Sequence, residues 1–311
     1  MIGGYVLSLR ITFLGTAASI PTATRALPAV ALRREGEIFL FDCGEGSQRQ
    51  MMTAKIGFNR EMRIFITHMH GDHVLGIPGL LQTMSLLGRD KPLKIYGPPG
   101  ISEFVDASRR TVRFSLTFPV EVYEVGEGVI CRERDYEIQS AWAEHSVPSL
   151  AYALVEKPRP GRFNPEKAVS LGVPKGPLWS RLQRGENIKL PNGRIVRPED
   201  VLGPPRRGRK IVYVGDTRPS ENIAKLASEA DVLIHEATFS DELAERAERD
   251  MHSTPSGAAY IAKKAGVKLL VLTHISARYS DTGILLEEAK RVFSNVIVAE
   301  DFMSLDVPLE K

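Results

Sequence analysis

Apolar residues along this chain fall into short runs broken by Gly, Pro and charged turns, a pattern that predicts strands interleaved with helices. The run over 5–14 predicts an opening strand that stops at Gly15-Thr16. After a loop carrying Pro and Thr, two further strands are expected over 29–33 and 37–41, split by the Glu35-Gly36 turn. A helix is expected over 48–54, then a buried strand at Met62-Arg63-Ile64-Phe65-Ile66. Helical spacing marks 77–87, where Pro78 is tolerated in the first turn. A strand at 94–96 turns at Gly97-Pro98-Pro99-Gly100 into a helix over 101–110. Strands are expected over 120–125, 129–132, 136–144 and 151–156.

From 157 to 210 the apolar periodicity lapses, and 9 of the 20 prolines fall there. Loops of that length are uncommon inside compact domains and are usually functional or linker-like, so a protruding arm is expected. Alternation resumes with a strand over 211–214, a helix over 222–228, a strand over 232–234 and helices over 241–249 and 256–265. It closes with a strand over 269–272, a helix over 283–293 and a strand over 296–298. Two such halves around a central site predict an α/β (α+β) four-layer αββα sandwich: one domain over 1–311 with an inserted arm at 157–210.

Composition adds little to the fold and something to the partners. At 43% hydrophobic and 25% charged, the chain has the make-up of a globular protein. No apolar run approaches the roughly 20 residues of a membrane helix, and the start lacks the segments of a signal peptide. A cytoplasmic protein with no membrane partner is expected. Cys43 and Cys131 form no C-x-x-C pair and read as small core hydrophobes. The net charge of +3 is uneven: 157–210 holds 14 Lys and Arg against 4 Asp and Glu, a local balance of +10. A mobile basic arm suits phosphate contacts that position a nucleic acid without reading its sequence.

The chemistry centres on Thr67-His68-Met69-His70-Gly71-Asp72-His73, directly after a predicted buried strand. Three imidazoles and a carboxylate at that spacing suit Zn²⁺ or a similar borderline cation. Alternate residues of an extended turn can face one ion while Asp72-His73 face a second. Two ions need further ligands at other strand ends, and His145, Asp216 and His274 each stand directly after a predicted strand. Asp216 is the candidate bridge, since one carboxylate can bind two cations. A paired-ion site lowers the pKa of bound water and suits phosphodiester hydrolysis. His252, in the loop before the helix over 256–265, is a candidate general acid, and Glu236 a candidate to orient it; His235 reads as structural.

The string His68-x-His70-x-Asp72-His73 with His145, Asp216 and His274 resembles the metallo-β-lactamase fold superfamily, with Asp42 at its first motif. Longer strings resemble ribonuclease Z, the tRNA 3′-processing endonuclease family. They are Phe41-Asp42-Cys43-Gly44-Glu45-Gly46-Ser47-Gln48-Arg49-Gln50, His235-Glu236-Ala237-Thr238, His252-Ser253-Thr254 and His274-Ile275-Ser276-Ala277-Arg278-Tyr279-Ser280. Within the arm, Pro160-Gly161-Arg162-Phe163, 171–178 and 202–206 resemble the family's tRNA-gripping exosite. Pro21-Thr22-Ala23-Thr24-Arg25-Ala26 departs from the family's Pro-x-Lys-x-Arg-Asn loop, with Ala23 and Ala26 at the Lys and Asn positions.

The resemblance implies a zinc-dependent endoribonuclease acting on precursor tRNA, with two Zn²⁺ per subunit, although Mn²⁺ or Fe²⁺ also suits such ligands. It implies His68, His70 and His145 around one ion, Asp72, His73 and His274 around the other, and Asp216 between them. Activated water would attack phosphorus with Asp72 accepting a proton, while His252, backed by Glu236, protonates the departing 3′ oxygen. The tRNA would keep a 3′ hydroxyl and the trailer a 5′ phosphate. Arg278 and Ser276 would meet phosphates near the cut, and Arg162, Lys175 and Arg181 would meet the tRNA from the arm. The resemblance also implies a homodimer in which one subunit's arm grips the tRNA cut by the other. Two alternatives remain open on the residues alone: a phosphodiesterase or other hydrolase of the same fold acting on small molecules, and a non-catalytic RNA-binding protein.

Overall fold

Alternating apolar positions drive two large sheets together. The computed structural model describes residues 8–310, so the expected strand residues 5–7 lie outside it. In chain order the strands are β1 (Leu9–Gly15), β2 (Ala29–Arg34), β3 (Glu37–Phe41), β4 (Met62–Phe65), β5 (Leu93–Gly97), β6 (Val120–Glu124), β7 (Gly128–Arg132) and β8 (Tyr136–Trp142). They continue with β9 (Leu150–Glu156), β10 (Ile188–Lys189), β11 (Ile195–Val196), β12 (Lys210–Tyr213), β13 (Val232–Glu236), β14 (Leu269–Thr273), β15 (Val296–Val298) and β16 (Ser304–Asp306). One sheet runs β16-β1-β2-β3-β4-β5-β6 and the other β15-β14-β13-β12-β9-β8-β7.

Each large sheet is mixed. β3 to β6 pair in parallel, as do β12 to β15, while β1, β2 and β3 are antiparallel neighbours. Parallel pairing buries both faces, which explains why β4 and β13 are buried at every position rather than alternately.

Three apolar clusters make four layers. Leu9, Ile11, Phe13, Phe41, Phe65, Tyr152, Tyr213 and Ile234 meet between the sheets. Helices Ser47–Thr53, Gly76–Leu86 and Ile101–Val112 supply the layer outside the first sheet. Helices Glu221–Leu226, Pro255–Ala265 and Gly283–Lys290 supply the layer outside the second. The αββα sandwich expected from the sequence is therefore present. The intersheet layer is aromatic: Phe65 stacks on Phe41 at 5.5 Å and on Tyr96 at 5.1 Å between centroids. Cys43 is buried and Cys131 half-buried, and both are free.

The chain divides into two compact units, one of residues 8–155 and 210–308, the other of 156–209 with the chain end. The second is not the loop expected from its lapse of periodicity. It contains helices Pro165–Ser170, Pro177–Gln183 and Pro198–Val201 and the β10–β11 hairpin. Ala168, Val173, Leu182, Ile188, Leu190, Val196 and Val201 form its own core. Its prolines start helices: each helix has Pro at its first position, where no backbone N–H is needed. Asn164 caps the first by accepting from the Lys167 N–H at 2.9 Å. Gly161 lets two strands cross, because a Cβ there would lie 1.9 Å from the Gly203 carbonyl oxygen. Among the described residues no helix is long and apolar enough to cross a membrane.

Candidate metal centre

The first sheet delivers the histidine-rich loop at the C-terminal end of β4, the edge where parallel sheets bind ligands. Thr67 anchors it: its N–H and hydroxyl donate to Asp42 Oδ1 at 2.8 and 3.0 Å. His68 and His70 then face one another, with Nε2 and Nδ1 3.0 Å apart. The extended turn expected from the sequence stops at His70, which heads a single helical turn over Gly71–Val74. This coil, closed by His73 N–H to the His70 carbonyl at 3.0 Å, brings the His73 ring to 4.1 Å from that of His68 and places Asp72 beside it.

The second sheet closes the site from its own strand ends. His145 follows β8, Asp216 follows β12 and His274 follows β14. Asp216 Oδ2 lies 3.6 Å from His68 Nε2 and 3.9 Å from His145 Nε2, whereas Oδ1 lies 3.1 Å from His274 Nε2 and 3.5 Å from His73 Nε2. Asp72 Oδ2 sits 3.4 Å from His73 Nε2 and 3.5 Å from His274 Nε2. Two of the expected donor sets result, His68, His70, His145 with Asp216, and Asp72, His73 with His274, and a third group joins Asp216 and His274 to His252; in each the ligand atoms lie within 4.8 Å of one another. One Asp216 oxygen faces each of the first two sets.

The outer nitrogens are tied down and several inner atoms are left bare. His73 Nδ1 donates to Asp42 Oδ2 at 2.7 Å, His145 Nδ1 to the Met251 carbonyl at 3.1 Å, and His274 Nδ1 lies 2.8 Å from the Thr238 hydroxyl. Asp72 Oδ2, His73 Nε2, Asp216 Oδ1 and His274 Nε2 are buried without any hydrogen-bond partner. Buried polar atoms are rarely orphaned. Four of them converging, from neutral-imidazole and carboxylate donors, fit a divalent cation held by oriented ligands.

The electrostatics agree. Burial opposes ionisation of Asp216, yet His274, His73 and His68 outweigh it and hold the carboxyl well below its usual range. Asp72 is likewise held low, despite burial, by His274 and His73. Burial and neighbouring imidazoles push His68 well below the ordinary histidine value, and burial lowers His145. His73 goes the other way: burial resists protonation, but Asp42 and Asp216 raise it well above the ordinary value. Positive charge is favoured at that point. Two residues lining the centre, Asp42 and His274, hold positive φ of 55° and 57°, costly conformations that cluster at functional sites.

Beside the donor sets stands a separate acid–base pair. His252 Nδ1 donates to Glu236 Oε1 at 2.8 Å. Burial works against the imidazolium, but Glu236 more than compensates and raises His252 to about 9. Glu236, at the end of β13, is fully buried and also accepts from the N–H groups of Thr217 and Thr238 at 3.1 and 3.0 Å. The His252 ring lies 5.3 Å from that of His145 and 5.7 Å from that of His274. His235 turns aside, its Nδ1 donating to the Glu236 carbonyl.

Ser276 and Arg278 lie on the loop beyond His274. Arg278 is exposed, donates to Ser276 Oγ at 3.0 Å and lies 5.7 Å over the Phe239 ring. The 21–26 loop is fixed by Arg25, which donates to Thr16 Oγ1 and the Ala299 carbonyl, and by the Ala26 N–H donating to Asp301 Oδ2 at 2.7 Å. Because that last bond uses backbone, Ala at position 26 retains it. Arg162, Lys175 and Arg181 are exposed in the second unit, where Arg181 is paired with Glu186 at 2.8 Å.

The orienting groups escaped the sequence reading. Thr238 lies within a quoted string but gave no hint that it would hold both Glu236 Oε2, at 2.7 Å, and His274. Tyr213 gave none at all: its hydroxyl crosses from the opposite sheet to donate to Asp42 Oδ2 at 2.8 Å.

A family model described as a beta-lactamase superfamily domain matches residues 191–275. Another, described as anti-Pycsar protein Apyc1, matches 9–106. The chain is 54% identical over 301 residues to a ribonuclease Z of Methanosarcina acetivorans, covering 96% of this chain and 98% of that one. A ribonuclease Z of Methanothermobacter thermautotrophicus is 49% identical over 299 residues, covering 96% and 97%. The crystal structure of human tRNase Z, short form, matches with a TM-score of 0.72 at 32% identity, covering 96% of this chain and all of that one. The metallo-beta-lactamase fold protein YhfI of Bacillus subtilis matches with a TM-score of 0.70 at 18% identity, covering 97% and 100%, a likeness of fold alone.

Proposed function

The chain belongs to the ribonuclease Z family, and from that premise we propose that it removes the 3′ trailer from precursor tRNA by metal-dependent hydrolysis, in the cytoplasm. The observation that carries the reading is a paired donor set standing beside a separate, carboxylate-backed imidazole, His252 Nδ1 to Glu236 at 2.8 Å. Hydrolysis of a phosphodiester needs both: charge stabilisation at phosphorus and a proton for the departing oxygen.

His68, His70 and His145 would hold one Zn²⁺, Asp72, His73 and His274 the other, with Asp216 shared. When bound, the ions supply Lewis acidity and a water of lowered pKa. Asp72, with one oxygen free of hydrogen bonds, takes up a proton from the attacking water. Glu236 fixes the His252 ring through Nδ1, leaving Nε2–H to protonate the leaving 3′ oxygen. The products are a tRNA 3′ hydroxyl and a trailer 5′ phosphate. Arg278 meets a phosphate near the cut, with Ser276 holding the guanidinium.

Arg162, Lys175 and, less available through its Glu186 pair, Arg181 contact the tRNA backbone from the second unit. Two chains act as a homodimer, the arm of one gripping the tRNA cut by the other. Support for a gripping role comes from that unit's own apolar core and its excess of exposed cations.

The test is incubation of the purified protein with a 3′-extended tRNA under Zn²⁺ or Mn²⁺, with both product ends mapped. A single cut leaving 3′ hydroxyl and 5′ phosphate is expected. An intact substrate under both metals overturns the reading.

A further inference from the structure

Away from the metal centre, a groove of about 360 Å³ lies on the outer face of the first sheet. Leu9, Ile11, Val30 and Leu32 point into the intersheet core, so the alternation turns Arg10, Thr12, Ala31 and Arg33 outward. Ala31 is buried in the outer cluster, whereas Arg10, Thr12 and Arg33 are not, and the turn carrying Lys55 and Arg60 forms the opposite wall. Arg10 and Arg33 are directly opposed across β1 and β2, a like-charge pairing that destabilises a sheet. Arg10 is occupied by two 2.7 Å bonds to Asp306. Arg33, Lys55 and Arg60 are exposed; Arg33 shares the charge of Asp306 with Arg10.

A second pocket, of about 380 Å³, shares Thr53 and Phe302 with the groove and runs to the 21–27 loop past the exposed Arg49. That loop reaches the metal centre through the residues before it: Ala17 donates to the Ala26 carbonyl, and its neighbours Thr16 and Ala18 bond the backbone of Ile275, immediately after His274. The two pockets thus adjoin at Thr53 and Phe302 as one depression, running from that loop, where Glu45 and Asp301 also line it, to a basic rim. Phe302 stands at their junction, 42% exposed and at φ 66°. It belongs to no apolar cluster of the described residues. A bulky side chain at positive φ is an outlier, and here the strained backbone holds a phenyl ring in solvent.

We propose that this depression carries the single-stranded 3′ trailer away from the centre, with Arg33, Lys55 and Arg60 on its phosphates and Phe302 stacked on one base. The inference rests on the tRNA reading for the identity of the strand. Cations along a groove with an exposed aromatic are the recurrent means of holding unpaired nucleic acid without sequence preference. Such tolerance suits a trailer, whose sequence differs from one precursor to the next.

The test uses the whole zinc-loaded protein, an Arg33→Gln/Lys55→Gln/Arg60→Gln variant and a Phe302→Ala variant, with precursors bearing a short or a long trailer. For the long-trailer precursor each variant should raise KM about tenfold with kcat nearly unchanged, and for the short-trailer precursor neither should alter KM. Binding of a labelled oligodeoxythymidylate, which offers phosphates and bases without being an RNA substrate, should weaken in parallel. In the triple variant the salt dependence of that binding should fall by about 2 in log–log slope. Wild-type KM for the long trailer together with wild-type oligonucleotide binding in both variants overturns the groove assignment. Failure of the wild-type protein to cleave any precursor instead strikes the tRNA reading, and the oligonucleotide binding then still decides whether the groove takes single strands.

Discussion

At the scale of single residues, the centre divides into atoms that face the ions and atoms that hold them in place. Asp42 belongs to the second kind. It contacts His73, Thr67 and Tyr213 at once, holding His73 by its outer nitrogen Nδ1. Asp42→Asn should therefore lower metal affinity about 10- to 100-fold, the usual cost of losing a histidine's outer partner, as read by competition with a chromophoric chelator. His252 should behave oppositely. His252→Ala is expected to cut kcat on precursor tRNA by about 10²- to 10⁴-fold while metal content stays at the wild-type level; metal loss on the same scale would reassign His252 as a ligand. All six histidines proposed as ligands or acid stood out in the sequence because imidazole is scarce, with 7 in the chain. Thr238 and Tyr213 did not, since hydroxyl side chains are common and their partners lie on other strands.

At the scale of elements, boundaries in the sandwich were legible because each strand or helix has its own apolar face. The arm was not, for a physical reason: its helices span six, seven and four residues, too short for a 3.6-residue period to declare itself. Their prolines also looked like breakers when they were helix starts. The arm's core is correspondingly small, so a single cavity should open it. Leu182 is fully buried there, and Leu182→Ala, costing about 2–5 kcal/mol, should melt residues 156–209 while the sandwich persists. Limited trypsin digestion would show it as early cuts among the arm's Arg and Lys residues. In the sandwich, Phe65→Ala, at about 3–5 kcal/mol, should lower the main thermal transition instead. Its ring is fully buried between Phe41 and Tyr96.

At the scale of the whole molecule, two kinds of dependence follow from where functional parts reside. Every strand end that supplies a candidate ligand belongs to one of the two sheets, so bound ions would clamp the sandwich as well as serve the proposed reaction. An ion present at about 100 times its Kd adds about 2.7 kcal/mol to stability. Stripping with a chelator should thus lower Tm by about 5–10 °C per ion, reversibly on adding Zn²⁺. The arm raises the other dependence. A chain lacking 161–207 keeps all the donor residues and His252 but loses the proposed tRNA grip, so it should hydrolyse a small phosphodiester at the wild-type rate and leave precursor tRNA uncut. A chain with Asp72→Ala keeps the arm and loses the chemistry. If each arm serves the partner's centre, mixing the two inactive chains and allowing subunits to exchange pairs an intact arm with an intact centre in one heterodimer. Cleavage of precursor tRNA should then reappear, in proportion to the heterodimer formed. Were each arm to serve its own centre, no pairing would combine the two functions, and the mixture would stay as inactive as its parts. Exchange itself must be followed by a mass difference between the chains, so that silence reflects an arm acting in cis rather than dimers that never traded subunits.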